Sequence, residues 1–363
     1  MRTLSLAALV LLVLPVPSQA AHRADWMRQA RWGVMTHFLA DWIWADEAEQ
    51  KKLSPEERQK LQTVEGWNAL VDGFDVEALA QQLEEVGARY YLLSIGQNSG
   101  YYLAPNATYD RIVGRTPSRC SRRDLVSDMA AALAKRGIRM MVYLPSGAPA
   151  GDREARAALE WTNGPQPNAA FKKKWEDVVR DWSSRWGTKV SGWWFDGCYW
   201  PNEMYRGQAP NFATLAAAAR AGNPDSAVAF NPGQYYPVFS MSGEQDFIAG
   251  EVKEMALDLV KEGRMEVTDG AYDGRFDGVQ LHVLGYIGET WGRGKPRFDA
   301  ASVAEYTLKV LPYGGAVTWD VPVQRNGTLS REYMERLRHL NTTVRTLAGP
   351  PAGAGPRADA STR

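Results

Sequence analysis

Short apolar runs alternate along this chain with longer segments whose apolar residues recur at helical spacing. The runs Trp32–Phe38, Ala88–Gly96, Ile138–Pro145, Val190–Tyr199, Ala227–Asn231, Asp246–Glu251, a stretch within Gly278–Ile287, and Gly315–Val323 read as eight strands. Each is brief and gives way to Gly, Pro or polar residues. Between the third and fourth runs, Asn168–Gly187 places Phe171, Trp175, Val178, Val179, Trp182 and Trp186 on one helical face. Further helices are expected from near Asp75, from Ser121 (with Asp124 as its capping-box partner) to Gly137, and over Phe212–Gly222, Ala300–Leu311 and Ser330–Arg345. A polar insertion, Asp41–Glu65, interrupts the first unit. Strands and helices in regular succession predict an α/β fold, a (β/α)₈ TIM-type barrel forming a single domain over residues 21–347.

The two ends differ from this pattern. A charged start, the apolar stretch Leu4–Val16 and then Pro17-Ser18-Gln19-Ala20 have the form of a secretory signal peptide over residues 1–20. A secreted or periplasmic location follows as the expectation. Residues 348–363 are rich in Pro, Gly and Ala and are expected to be a disordered tail. No other segment is long and apolar enough to span a bilayer.

Composition narrows the partners. The 42 basic and 42 acidic residues cancel, which gives no electrostatic footprint for nucleic acid or an anionic membrane. Fourteen Trp beside 15 Tyr supply flat platforms for sugar rings, although the spacing assigns most of them to the core. Four His without ligand spacing imply no metal site, and no organic cofactor is implied either. Cys120 and Cys198 fall toward the same end of the barrel, and an exported protein permits a disulfide between them; their separation is not set by sequence. Sequons stand at Asn106, Asn326 and Asn341.

The ends of the runs carry the chemistry. His37, Gln97 with Asn98, Ser146, Asp196, Asn231, Glu251 and Asp320 each lie where an apolar strand turns polar. Any one of them fits a turn residue or a satisfied core polar group, but together they would ring one pocket at the C-terminal mouth, where barrels hold their chemistry. Asp196 stands out because an aromatic wall, Trp193-Trp194-Phe195, precedes it and Gly197 follows.

These residues resemble glycoside hydrolase family 29, the α-L-fucosidases, from about Trp26 to Leu340. Arg31-Trp32-Gly33-Val34-Met35-Thr36-His37 is similar to the family's run into a sugar-binding histidine, and Phe74-Asp75 with Gly87-Ala88-Arg89-Tyr90 to its next unit. Arg123-Asp124-Leu125-Val126, Gly137-Ile138, Gly288-Glu289-Thr290-Trp291-Gly292, and Gly314-Gly315 with Asn326-Gly327-Thr328 continue the series, and Trp194-Phe195-Asp196-Gly197 matches the segment of the nucleophile. Four departures stand out: Gln97 and Asn98 replace a His-His pair, Phe38 a tryptophan, His282 an acid and Asp320 an asparagine. The β-sandwich that usually follows the barrel is not expected here.

The resemblance implies a secreted glycosidase that removes a terminal α-L-fucose or related deoxysugar with retention. Asp196 would attack the anomeric carbon and Glu251 would donate the proton, with Glu254, Asp320 and His282 as rivals for the donor. His37, Gln97, Asn98, Trp194, Trp291 and Asp320 would bind the carbohydrate, with Trp200 as a further platform. Two readings compete: a carbohydrate-binding protein that has lost its proton donor, and an exo-glycosidase for a galactose-like or modified fucose residue.

Overall fold

A computed structural model describes residues 22–44, 51, 53–162, 169–199, 204–253, 265–268 and 271–348. The signal-peptide and tail expectations, Trp200 and Glu254 lie outside the described residues. Seven parallel strands form one curled sheet: β1 Trp32–His37, β2 Tyr90–Ser94, β3 Arg139–Pro145, β4 Val190–Asp196, β5 Ala227–Phe230, β9 His282–Tyr286 and β10 Ala316–Asp320. Their order is β5-β4-β3-β2-β1-β10-β9. The eighth expected strand, Asp246–Glu251, occupies the gap between β5 and β9 without a regular ladder. Asp246 N donates to Val228 O at 2.8 Å on one side, and Ile248 N and Val252 N donate to Gln280 O and Leu284 O at 2.9 Å on the other. The Asp246 carboxylate also takes the Val228 N–H, at 2.8 Å. The barrel is thereby closed, and the fold is a (β/α)₈ barrel.

Gly250 explains the irregularity. Its φ is +65°, and a Cβ there would lie 2.1 Å from the His282 carbonyl oxygen. Only glycine lets the segment run this close to β9, so Gly250→Ala is expected to cost roughly 2–4 kcal/mol. Chemical denaturation checks this; a midpoint equal to that of the unaltered protein would contradict it.

Strand alternation decides what faces the barrel interior. Met35, Tyr90, Leu92, Met141, Tyr143, Trp194, Ala227, Ala229, Phe247, Ala249, Leu284 and Ala316 pack into one inner cluster. Their neighbours Val34, Tyr91, Leu93, Val142, Trp193, Phe195, Val228, Ile248, Val283, Val317 and Trp319 belong to the outer core beneath the helices. Helix Asp25–Ala30 adds Met27 and Ala30 to the inner cluster.

The helices follow the expected faces. Ala169–Trp186 buries Phe171, Trp175, Val178, Val179, Trp182 and Trp186. The indole N–H groups of Trp175, Trp182 and Trp186 donate to Pro145 O, Pro105 O and the Asp124 carboxylate at 3.0–3.1 Å, so these tryptophans are satisfied core residues. One capping expectation is corrected. Asp124, not Ser121, caps helix Leu125–Ala134, accepting from Ser127 N at 2.9 Å. The Ser121 hydroxyl donates instead to Arg123 O, and its N–H is taken by Tyr102 O.

The insertion after β1 contains helices Ala40–Trp44, Pro55–Leu61 and Val64–Asp72. A small antiparallel sheet, β6 Met265–Thr268, β7 Ala271–Phe276 and β8 Val279–Gln280, precedes β9 and was not expected. Both cysteines are buried free thiols. Asn106 is fully buried as the cap of helix Ala107–Val113, which removes that sequon from a glycan's reach. Among the described residues, no helix is long and apolar enough to cross a membrane.

Candidate active site

The inward parity of each strand ends at the mouth in a polar or aromatic group. On β4 the inward series is Gly192, Trp194, Asp196; on β1 it ends in His37, on β3 it reaches Tyr143, and beyond β5 it ends in Asn231. The irregular segment contributes Phe247, Ala249 and then Glu251, and β10 contributes Thr318 and Asp320. A cleft of about 370 Å³ opens at this mouth, lined by Met35, His37, Trp42, Gln97, Tyr143, Trp194, Asp196, Glu251, Leu284 and Trp291.

Asn231 joins the two acids. Its side-chain nitrogen donates to Asp196 Oδ1 at 2.9 Å and to Glu251 Oε2 at 2.5 Å. The facing oxygens are therefore no farther apart than these two bonds laid end to end. One amide thus bridges the two carboxyls, which are close neighbours, as the pair of a retaining glycosidase must be.

The carboxylate of Asp196 accepts two more bonds, from Gly197 N at 2.8 Å and from the Tyr143 hydroxyl at 2.5 Å. Gln97 donates to that hydroxyl at 2.7 Å, so the Tyr143 proton is directed to Asp196. Burial, reinforced by the charge on Asp196, raises the Tyr143 phenol well above its ordinary pKa and keeps it a donor.

Glu251 sits in a contrasting environment. Burial first, and the neighbouring Asp196 charge second, push its pKa up to about 7, against the opposing hydrogen bonds from Asn231 and Gln234. A buried carboxyl held up near neutrality beside a second carboxyl is the mark of a functional acid.

The other expected residues divide into those at the cleft and those behind it. His37, Gln97, Trp194 and Trp291 line it. Asp320 is fully buried behind His37, accepting from Gly292 N and pairing with His37 Nδ1 at 2.9 Å. Asn98 is exposed and does not line the cleft; its carbonyl accepts from Gly151 N at 2.8 Å. His282 begins β9 and so lies a layer below the mouth. It pairs with Ile248 O and Thr318 Oγ1 at 3.0 and 2.7 Å, and burial lowers its pKa to about 4.

Trp42, Tyr143, Met35 and Leu284 complete the lining and were not singled out by sequence. Phe38 points into the outer core against Trp67 and Phe74. The indole beside His37 comes instead from Trp42 in the insertion, with ring centres 4.8 Å apart. Tyr143 and Leu284 were legible from strand parity, whereas Trp42 carried no local signal.

A barrel mouth holding two close carboxyls, one of them raised by burial and its neighbour's charge, and walled by aromatic rings, is the site of a glycosidase. The chain belongs to the alpha-L-fucosidase family, whose profile matches residues 17–345, and it is a glycosidase of that fucose-cleaving family. No curated protein sequence matches it. Its fold is similar to that of the endo-fucoidan hydrolase P5AFcnA from glycoside hydrolase family 107, with a TM-score of 0.65 and 16% identity over 93% of this chain and 96% of that one. It is also similar to alpha-L-fucosidase isoenzyme 1 from Paenibacillus thiaminolyticus, at a TM-score of 0.60 and 16% identity over 93% and 78% of the two chains. Alpha-L-fucosidase AlfC from Lactobacillus casei, in complex with alpha-L-fucose, aligns at a TM-score of 0.56 and 16% identity over 88% and 97%.

Proposed function

We propose that the protein is an exported exo-acting α-L-fucosidase that cleaves a terminal α-L-fucose or closely related deoxysugar with retention. The observation that carries this reading is the amide of Asn231 bridging Asp196 and Glu251, which sets the two carboxyls side by side as a retaining pair requires. Asp196, fixed by three donors, attacks the anomeric carbon, while Glu251, raised to about 7, gives its proton to the leaving oxygen. Once the glycosyl ester forms, Asp196 carries no charge. One of the two influences that hold the Glu251 pKa up is then gone, so Glu251 loses its proton more readily and acts as base toward water.

His37 Nδ1 is engaged by Asp320, which leaves Nε2 for a sugar hydroxyl. Met35, Leu284, Trp194 and Trp291 form an apolar wall suited to the methyl of a 6-deoxy sugar. A binding protein without a proton donor would have no reason to keep a second, partly neutral carboxyl opposite the first. Export rests on the amino-terminal segment alone.

The test is 4-nitrophenyl α-L-fucoside beside the matching α-L-galactoside and β-D-galactoside, followed by proton NMR of the released sugar. Preference for the fucoside with α-L-fucose appearing first is expected. Initial β-anomer, or preference for either galactoside, would refute the mechanism or the sugar, respectively.

A further inference from the structure

Beyond Asp196 and Glu251 the cleft opens into a groove of about 790 Å³, also lined by Tyr199, Pro232, Gly233, Gln234 and Tyr235. It is larger and more open than the inner cleft and shares the two acids with it. Its floor is tied to the catalytic amide, because Gly233 N donates to Asn231 Oδ1 at 3.1 Å. Gly233 has φ +97°, and a Cβ there would stand 3.4 Å from the ring of Tyr199 and 3.9 Å from that of Tyr235. The two tyrosines therefore flank a floor without a side chain. Both are exposed, at 48% and 36%, although large aromatics normally bury most of their surface. Tyr235 is braced edge-on by Phe239 at 5.6 Å. Gln234 donates its amide N–H to Glu251 at 3.2 Å, which leaves its carbonyl oxygen for a hydroxyl in the groove.

The charges are one-sided. Among the described residues lining this groove there is no Lys, Arg or His, and its only ionisable carboxyls are Asp196 and Glu251. Flat aromatic faces and amide groups fit the apolar face and hydroxyls of a neutral sugar. A sulfate or carboxylate would be brought beside a carboxylate with no cation among the described lining residues to offset it. We propose that this groove binds the leaving-group side of the substrate, stacking a neutral sugar between Tyr199 and Tyr235 and rejecting anionic ones. This rests on the fucosidase reading above and adds the class of glycan from which the fucose is taken.

The experiment uses α-L-fucosyl fluoride, whose leaving group occupies none of the groove, beside pairs of fucosyl disaccharides that differ only by a sulfate on the leaving sugar. The unaltered protein is expected to cleave the neutral member at least about tenfold more efficiently than the sulfated one. Tyr199→Ala with Tyr235→Ala should lower kcat/KM for the neutral disaccharide about tenfold or more, chiefly through KM, with fluoride hydrolysis within about twofold. Equal cleavage of both disaccharides, unchanged disaccharide kinetics in the double variant, or turnover of the fluoride with no disaccharide of any linkage would each overturn the groove assignment. If the fluoride itself is untouched, the fucosidase reading fails instead. Calorimetric titration of the same disaccharides into the unaltered and double-variant proteins then decides the groove: binding lost in the variant upholds it, and equal or absent binding overturns it.

Discussion

Asp196→Asn is expected to lower turnover of an aryl fucoside by roughly 10⁴-fold or more while leaving the thermal midpoint nearly unchanged. The amide is nearly isosteric with the carboxylate, and it sits where three donors converge: Asn231, Gly197 and Tyr143. An amide oxygen still accepts from two of them, so local order survives, but the attacking charge does not. Added azide should restore part of the activity by attacking the anomeric carbon in place of the missing carboxylate. The azide adduct would then have the opposite anomeric configuration to the substrate. Activity within about tenfold of the unaltered protein, or labelling of a different carboxylate by a fluoro-sugar inactivator, would remove Asp196 from this role.

Glu251→Gln is expected to separate substrates by their leaving groups. A nitrophenolate departs with little protonation, whereas a sugar alkoxide does not, so the loss should be about 10²-fold or more on fucosyl disaccharides and far smaller on the aryl fucoside. The pH profile supplies an independent check. A proton donor must be protonated to act, and burial together with the Asp196 charge raises Glu251 to about 7. Activity of the unaltered protein should therefore fall as pH rises through about 7, and the variant's remaining activity on the aryl substrate should lack that alkaline limb. Equal losses on the two substrate types, or an alkaline limb that persists in Glu251→Gln, would assign the proton to another group. Asp320 and His282 are poor substitutes on position: the first is bonded to His37 and Gly292 N, the second is enclosed by Ile248 and Thr318.

Much of this fold was written in local pattern. Short apolar runs ended by Gly, Pro or polar residues marked the strands, helical spacing marked Ala169–Trp186, and Asp75 marked the start of helix Val76–Val86, which it caps. Backbone alternation then fixes which face of each strand turns inward, and it carries Trp194 and Asp196 to the inside together while Trp193 and Phe195 go to the helices. Where the pattern failed, a non-local contact had intervened. The Asp246–Glu251 run reads as an ordinary strand, but Gly250 packs against the His282 carbonyl and breaks the ladder. Ser121 looks like a helix cap, yet its N–H is held by Tyr102 and its hydroxyl by Arg123.

The sequence by itself therefore determined the barrel, the polar residues at its strand ends and the singular position of Asp196, because periodicity and burial are properties of neighbouring residues. Tertiary structure alone decided which of those polar residues meet. His282 and Glu251 both stand on inward-facing positions of adjacent segments, but one begins its strand and is buried below the mouth, while the other ends its segment beside Asp196. Trp42 meets His37 because helix Ala40–Trp44, directly after β1, sets its indole at the cleft. The acid at 251 is raised to about 7 only because closure of the barrel removes it from water and sets it against the charge of Asp196. Depth along the barrel axis, desolvation and the spacing of charges arise from the packing of distant segments, and no local pattern encodes them.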